Sequence, residues 1–232
     1  MRFPTACYDN FYEDPESVVD FALALDYSVD VAKYPGCRTP NLFEIDSDFA
    51  NNSLFKMLSL FDDFNEEGIE IDVKTHFHKT WRFSPEEENV LNKGWVHRDN
   101  GILLAAVIYL SKNPHPNSGT SIYSRRIGEE MPDYKRNYNS FNEILGHNKE
   151  TSIDAIKGYE TSLIENNKLY DVQIEVKNAY NRLICYDGEQ HHTQTSAWRD
   201  DEDFRLTQVF FIDDIRCFSK KIPSMRCNRY GI

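Results

Sequence analysis

The sequence predicts a mainly β protein with flanking helices, a single domain over residues 1–232. Three observations carry that prediction. From Ile69 onward apolar residues recur with period two in run after run, the pattern of half-buried strands. The longest apolar run, GILLAAVIYL, suits a core strand and is too short to span a bilayer. The helical patterns lie before this region or inside one polar interval, as outer supports of a sheet would. A chain of 232 residues buries a sizeable core, and β folds of this size are commonly one domain.

In chain order, Asp14 can cap a helix with Pro15 in its first turn, and Val18, Val19, Ala22 and Leu25 mark its apolar face. YPGCRTP, with its Pro-Gly pair and second proline, reads as an ordered turn. NSLFKMLSLFDDF is a second amphipathic helix, so residues 1–68 form a helical support. The strands follow as IEIDVKTHFHKTWRFS, WVHRD, ILLAAVIYLS, TSIYS after the turn NPHPNSG, then YDVQIEV, NRLICYDG and RLTQVFFI. Such a succession, over about 69–215, predicts a sandwich or barrel. KNAYN connects two of the strands. Residues 124–169 form a polar insertion whose helical pattern is SIDAIKGYETSLIENN; an excursion of that length is a lid or binding loop, or a solvated insertion.

Composition narrows the function. A net charge of −12 works against partners held through phosphates, which disfavours nucleic acid and leaves a small molecule or a peptide as the expected substrate. The five cysteines (Cys7, Cys37, Cys185, Cys217, Cys227) are scattered, odd in number and without a CxxC pair. That argues against a disulfide framework or a cysteine zinc site and fits a reducing cytoplasm. The opening MRFPTACYDNFYEDP has neither a signal-peptide apolar region nor a transit-peptide bias, so a cytoplasmic location is expected and the NNS sequon at Asn51 carries no weight. Glycine-rich phosphate loops, GxSxG elbows and HExxH helices do not occur.

The chemistry gathers around WVHRDNGILLAA. In an extended segment His97 and Asp99 point to one face and Arg98 to the other, which makes half of a metal site at the mouth of a core strand. NRLICYDGEQHHTQTSAW supplies the adjacent histidines His191 and His192 after a turn at Asp187-Gly188. If these segments lie side by side, one histidine completes a 2-His-1-carboxylate set, which holds Fe(II) on one face and leaves the other open for substrate and dioxygen. Arg205, opening the strand RLTQVFFI, can hold a carboxylate through two parallel hydrogen bonds, and the Thr207 hydroxyl points at the same ligand. Such a pair would grip the distal carboxylate of a dicarboxylate whose other end chelates iron, the shape of 2-oxoglutarate.

The set HxD, histidine, RxT, in this order over roughly residues 95–212, resembles the Fe(II)- and 2-oxoglutarate-dependent dioxygenases. LICYDGEQHH resembles their strand-turn-histidine element, in which the histidine lies six positions after the last aromatic of the strand; counting from Tyr186 selects His192. YDNFYEDPESVVDFAL and YPGCRTP resemble an uncharacterised bacterial and phage branch of the same superfamily. The resemblance implies a double-stranded β-helix (cupin-like jelly roll), Fe(II) on His97, Asp99 and His192, and 2-oxoglutarate held by Arg205 and Thr207. It implies an oxygenase, a hydroxylase, that consumes dioxygen and releases succinate. Arg205 lies thirteen residues after His192, farther than is common in the superfamily; the acidic turn RDDED can absorb the excess, but Arg199 stands as a rival.

Two other functions stay open: a non-catalytic binding or structural protein on the same fold, and a cupin-type metalloenzyme that does not use 2-oxoglutarate. The second would use His76 and His78, which share a strand face in THFHKT; the glutamate that a cupin needs comes late, at Glu86, so structural or substrate-facing roles are expected for both. His115 reads as a turn residue, His147 as a lid or solvated residue, and Trp81, Trp95 and Trp198 as core or pocket wall.

Overall fold

The computed structural model describes residues 3–28, 36–61, 68–128, 153–199 and 204–217. Six strands of the larger sheet are Ala6–Tyr8 (β1), Gly36–Arg38 (β2), Ile69–Thr80 (β3), Leu104–Tyr109 (β4), Arg182–Asp187 (β7) and Arg205–Cys217 (β9), in the order β1-β7-β4-β9-β3-β2. The smaller sheet holds Gly119–Arg125 (β5), Tyr170–Lys177 (β6) and His191–Gln194 (β8), in the order β6-β5-β8. All of the strand pairs are antiparallel.

Alternation along the central strands divides the layers. On β4, Leu104, Ala106 and Ile108 enter the main core with Leu183, Cys185, Phe210 and Ile212. Ala105 and Tyr109 face the other way and pack with Ile122 and Val176 of the smaller sheet. β9 follows the same rule: Leu206, Phe210 and Ile212 join the core, while Arg205, Thr207, Val209 and Phe211 line a cavity between the sheets. A strand buried on both faces reads as the continuous apolar run seen at residues 101–110.

The N-terminal helices cover the outer face of the larger sheet. Asp14 caps Pro15–Ala24 (α1), accepting the Ser17 amide at 3.1 Å. Leu42–Ile45 (α2) is a single turn, and Asp46 caps Ser47–Leu58 (α3) by accepting the Phe49 amide at 2.9 Å. α3 thus starts five residues before the stretch expected to be helical, because its signal is the cap and not the apolar face. Ala50, Leu54, Met57 and Leu58 then bury against Phe77 and Phe210, each large side chain contributing about 1.5–3 kcal/mol. Ile153–Asn167 (α4) belongs to the polar interval; residues 129–152, with His147, lie outside the described residues. Among the described residues no helix is long and apolar enough to cross a membrane.

Two segments differ from expectation. YPGCRTP contains an edge strand, β2, whose Cys37 pairs with Lys79 and whose neighbour Thr39 takes the Phe77 amide on its hydroxyl at 3.1 Å. Three residues are too few to show a period, so pairing with β3 overrides the local turn signal. WVHRD is not a full strand: it makes one isolated bridge, His97 to His192, and leaves through a turn at Gly101 (φ 88°) into β4.

Candidate metal centre and cavity

Residues 94–99 lie antiparallel to β8 and the turn before it. The Gly94 amide donates to the Gln194 carbonyl at 3.2 Å, His97 and His192 exchange amide-carbonyl bonds of 3.1 and 2.8 Å, and the Asp99 amide donates to the Gly188 carbonyl at 2.9 Å. This closeness demands glycine at both ends. A Cβ on Gly94 would stand 1.9 Å from Thr193 Oγ1, and one on Gly188 would stand 2.3 Å from the Ile102 carbonyl oxygen.

The pairing brings three donors together. Asp99 lies 3.6 Å from His97 Nε2 through one carboxylate oxygen and 3.3 Å from His192 Nε2 through the other. Each ring is oriented from behind: His97 Nδ1 is 2.7 Å from the Trp95 carbonyl oxygen and His192 Nδ1 is 2.9 Å from that of Gln190. A carbonyl only accepts, so each Nδ1 carries the proton and each Nε2 keeps its lone pair for the centre. One ligand atom from each of the three residues lies within 4.8 Å of the others, the only such cluster among the described residues. Burial would raise the Asp99 carboxyl, but the neighbouring His192 and His97 imidazoles outweigh it and hold the group below the usual carboxylate range. Two imidazoles and an ionised carboxylate, pre-oriented on one point, suit a divalent first-row metal. His192 is buried beneath the Tyr186 ring, with centroids 4.5 Å apart, whereas His97 is half exposed; the centre is closed on one side and open on the other.

The cluster lies in the wall of a cavity of about 860 Å³. Arg205 and Thr207 line the same cavity, and Thr207 sits between Tyr109 and His78 in the register of the sheet. Arg205 donates through Nη2 to Gln194 Oε1 at 2.6 Å, and the Tyr109 hydroxyl is 2.7 Å from Thr120 Oγ1. Arg199, the rival cation, lines a smaller neighbouring pocket, and its carbonyl accepts from Arg82 at 3.0 Å. His191 stands outside the cluster and packs on Tyr170 at 4.6 Å; burial first, and then the charge of Arg98, pushes it down to about 4. His78 also lines the cavity, while His76 bonds the Thr39 carbonyl through Nδ1 at 2.9 Å. Burial above all, and then His76, Arg38 and Arg205, hold His78 well below the ordinary histidine range. His115 is a turn residue, its Nδ1 taking the Asn117 amide at 3.3 Å. Trp95 lines the cavity, Trp81 packs edge-on to Phe204, and Trp198 donates to the Pro85 carbonyl at 3.0 Å.

Several wall residues escaped the sequence reading. Gln194 shares a strand face with His192 and could have been found by parity. Tyr159 and Asn166 reach the cavity from α4, and nothing in their local sequence signals it.

A model of a family of unknown function, DUF6445, matches residues 2–212. A search of curated proteins finds no match. Among solved structures, HygX from Streptomyces hygroscopicus with nickel and 2-oxoglutarate bound aligns with a TM-score of 0.55 at 14% identity, covering 90% of this chain and 82% of that one. The same protein with hygromycin B also bound gives 0.54 at 13% identity, with the same coverage. The epimerase SnoN of nogalamycin biosynthesis, in complex with Fe3+, alpha ketoglutarate and nogalamycin RO, gives 0.51 at 9% identity over 93% and 82%. At these identities the likeness establishes the fold, the jelly roll of the Fe(II)- and 2-oxoglutarate-dependent oxygenases.

Proposed function

The chain belongs to DUF6445, a family of unknown function, and we propose that this member is an Fe(II)- and 2-oxoglutarate-dependent oxygenase that hydroxylates a small molecule or a peptide. One observation carries the reading: His97, Asp99 and His192 converge within 4.8 Å in the wall of a cavity that also presents Arg205 and Thr207. The shared fold with HygX, which binds nickel and 2-oxoglutarate, supports it.

His97, Asp99 and His192 would hold Fe(II), and Arg205 with Thr207 would hold the distal carboxylate of 2-oxoglutarate. When bound, iron and 2-oxoglutarate supply the oxidative chemistry, with dioxygen consumed and succinate and carbon dioxide released. The chain supplies orientation and shielding. The Trp95 and Gln190 carbonyls hold the two imidazoles in the tautomer that binds metal, and Gln194 steadies the Arg205 guanidinium. Tyr186 covers the buried side of His192 and keeps water from it, while the exposed flank of His97 leaves the approach for substrate. Free thiols at Cys7, Cys37 and Cys185 accord with a reducing, cytoplasmic setting for Fe(II).

The cupin-type alternative finds little support, since neither His76 nor His78 joins the cluster. To test the proposal, protein loaded with Fe(II) and 2-oxoglutarate is exposed to oxygen with a panel of metabolites and peptides, and succinate is measured. Iron-dependent succinate, raised by at least one compound that gains an oxygen atom, is expected. Background succinate from iron-loaded protein across the panel would favour a non-catalytic role for the fold.

A further inference from the structure

We propose that Asn166 and Asn167, at the C-terminal end of α4, are positioning residues for the metal centre. They hold the segment that carries His97 and Asp99 in place on β8, and through them the docking of α4 and the binding of metal favour each other. The inference rests on the oxygenase reading for the metal centre, and it deepens that reading by giving the polar interval a task there.

Residues 94–99 carry two of the three ligands and meet β8 through a single isolated bridge, with one amide bond on either side of it. The Gly94 carbonyl and both backbone groups of Val96 go instead to side-chain amides of α4. The Val96 amide donates to Asn167 Oδ1 at 3.0 Å, and Asn167 Nδ2 donates to the Gly94 carbonyl at 2.9 Å. Asn166 Nδ2 donates to the Val96 carbonyl at 3.0 Å and to Asn167 Oδ1 at 2.9 Å, which ties the two side chains together. A carboxamide holds both a donor and an acceptor, so Asn167 serves a carbonyl and an amide of the segment at once, as a neighbouring strand would. The site is dry: Asn166 is 1% exposed, and Val96, packed with Leu169 and Tyr170, is 2% exposed. Backbone groups buried there need these partners.

The clamp bears on His97 more than on His192. The His192 ring is buried under Tyr186, whereas the His97 ring is half exposed and takes its orientation from the Trp95 carbonyl, 2.7 Å from Nδ1. Trp95 lies between the two residues that Asn167 holds. Its own ring stacks on Tyr159 of α4, with centroids 6.0 Å apart and planes 27° from parallel. The orienting carbonyl is thus fixed from α4 on both flanks and through its side chain. Partners of this kind, behind a ligand, commonly change metal affinity by roughly 10–100-fold. Coupling between two binding events is reciprocal, so metal on His97 must in turn favour the docked helix. Tyr159 and Asn166 also line the cavity, so the helix that steadies the ligand segment is part of the wall that a substrate meets.

Co(II), whose visible absorption reports its ligand geometry, is titrated into metal-free protein against a competing chelator. Asn167→Leu, close in size but without donor or acceptor, should bind Co(II) at least about ten-fold more weakly and change its absorption. Asn166→Ala, which removes the bond to the Val96 carbonyl, should show a smaller loss in the same direction, and it decides the matter if Asn167→Leu does not fold. Asp46→Ala, which uncaps α3 on the far side of the larger sheet, should lower the urea midpoint and bind Co(II) as the wild type does. Hydrogen exchange gives the reciprocal arm: Co(II) should slow the amides of α4 in the wild type and not in the asparagine variants. Wild-type affinity and absorption in the folded asparagine variants, an equal loss in Asp46→Ala, or α4 exchange that Co(II) leaves unchanged overturns the proposal and leaves the oxygenase reading standing. If the wild type itself binds no Co(II), the oxygenase reading fails. The clamp is then judged on residues 94–99 of metal-free protein: faster amide exchange in Asn166→Ala than in the wild type upholds it, and equal exchange overturns it.

Discussion

His97 and His192 share both hydrogen bonds of an isolated antiparallel bridge, at 3.1 and 2.8 Å, which sets their rings 4.5 Å apart with Asp99 between them. The bridge decides which of the adjacent histidines faces the carboxylate. His97→Ala, Asp99→Ala and His192→Ala should each lose stoichiometric Fe(II) while staying folded, and His191→Ala should keep it. Metal analysis beside circular dichroism checks this; full iron in His192→Ala and none in His191→Ala would place the ligand one residue earlier.

Arg205 lines both the central cavity and the smaller neighbouring pocket, whereas Arg199 lines the smaller pocket and not the central cavity. Arg205→Ala should retain Fe(II) and weaken 2-oxoglutarate binding by about 2–5 kcal/mol, the range for truncating one partner of a buried charge pair. Isothermal titration of the iron-loaded variants should find Arg199→Ala close to wild type. The opposite ranking would reassign the co-substrate site.

Gly94 holds the ligand segment against β8, and a Cβ there would meet Thr193 Oγ1 at 1.9 Å. Gly94→Ala should therefore destabilise the fold by about 1–3 kcal/mol, the usual cost of overpacking, and loosen iron through His97. Urea denaturation gives the first number and a competing chelator the second. An unchanged midpoint would mean that the two segments part at little cost.

His78 gives a pH dependence of known sign. Its ordinary value is 6.5, and in the folded chain burial and the cations around it hold it well below. As pH falls through about 6.5, the unfolded chain takes up a proton that the folded one refuses, so stability is fully present above that value and declines below it. The metal-free protein should lose up to about 1.4 kcal/mol per pH unit from this group, and His78→Gln should flatten the profile. Denaturant titrations at about pH 7.5 and about pH 5.5 compare the two. A slope that is the same in both proteins would show that His78 titrates alike in the folded and unfolded chains.

Much of the fold was legible because strand alternation is physical. Leu104, Ala106 and Ile108 read as one face of β4, and Arg205 and Thr207 as the opposite face of β9, before any pairing is known. What stayed illegible depends on contacts distant in sequence. The strand at Gly36–Arg38 exists through its pairing with β3 and a bridge from Arg38 to Ser28, and Tyr159 and Asn166 enter the cavity through the placement of α4. The choice between His191 and His192 was hidden for a local reason: the turn between β7 and β8 breaks parity, and only the bridge to His97 restores a register.

The central claim is that one cavity holds iron on His97, Asp99 and His192 and 2-oxoglutarate against Arg205. Anaerobic titration of metal-free protein, first with Fe(II) and then with 2-oxoglutarate, tests it most directly. One equivalent of iron is expected, then a weak visible charge-transfer band that needs both ligands, saturates with 2-oxoglutarate, and is lost in Asp99→Ala. Stoichiometric iron without any band at saturating 2-oxoglutarate, or a band that persists in Asp99→Ala, would contradict it.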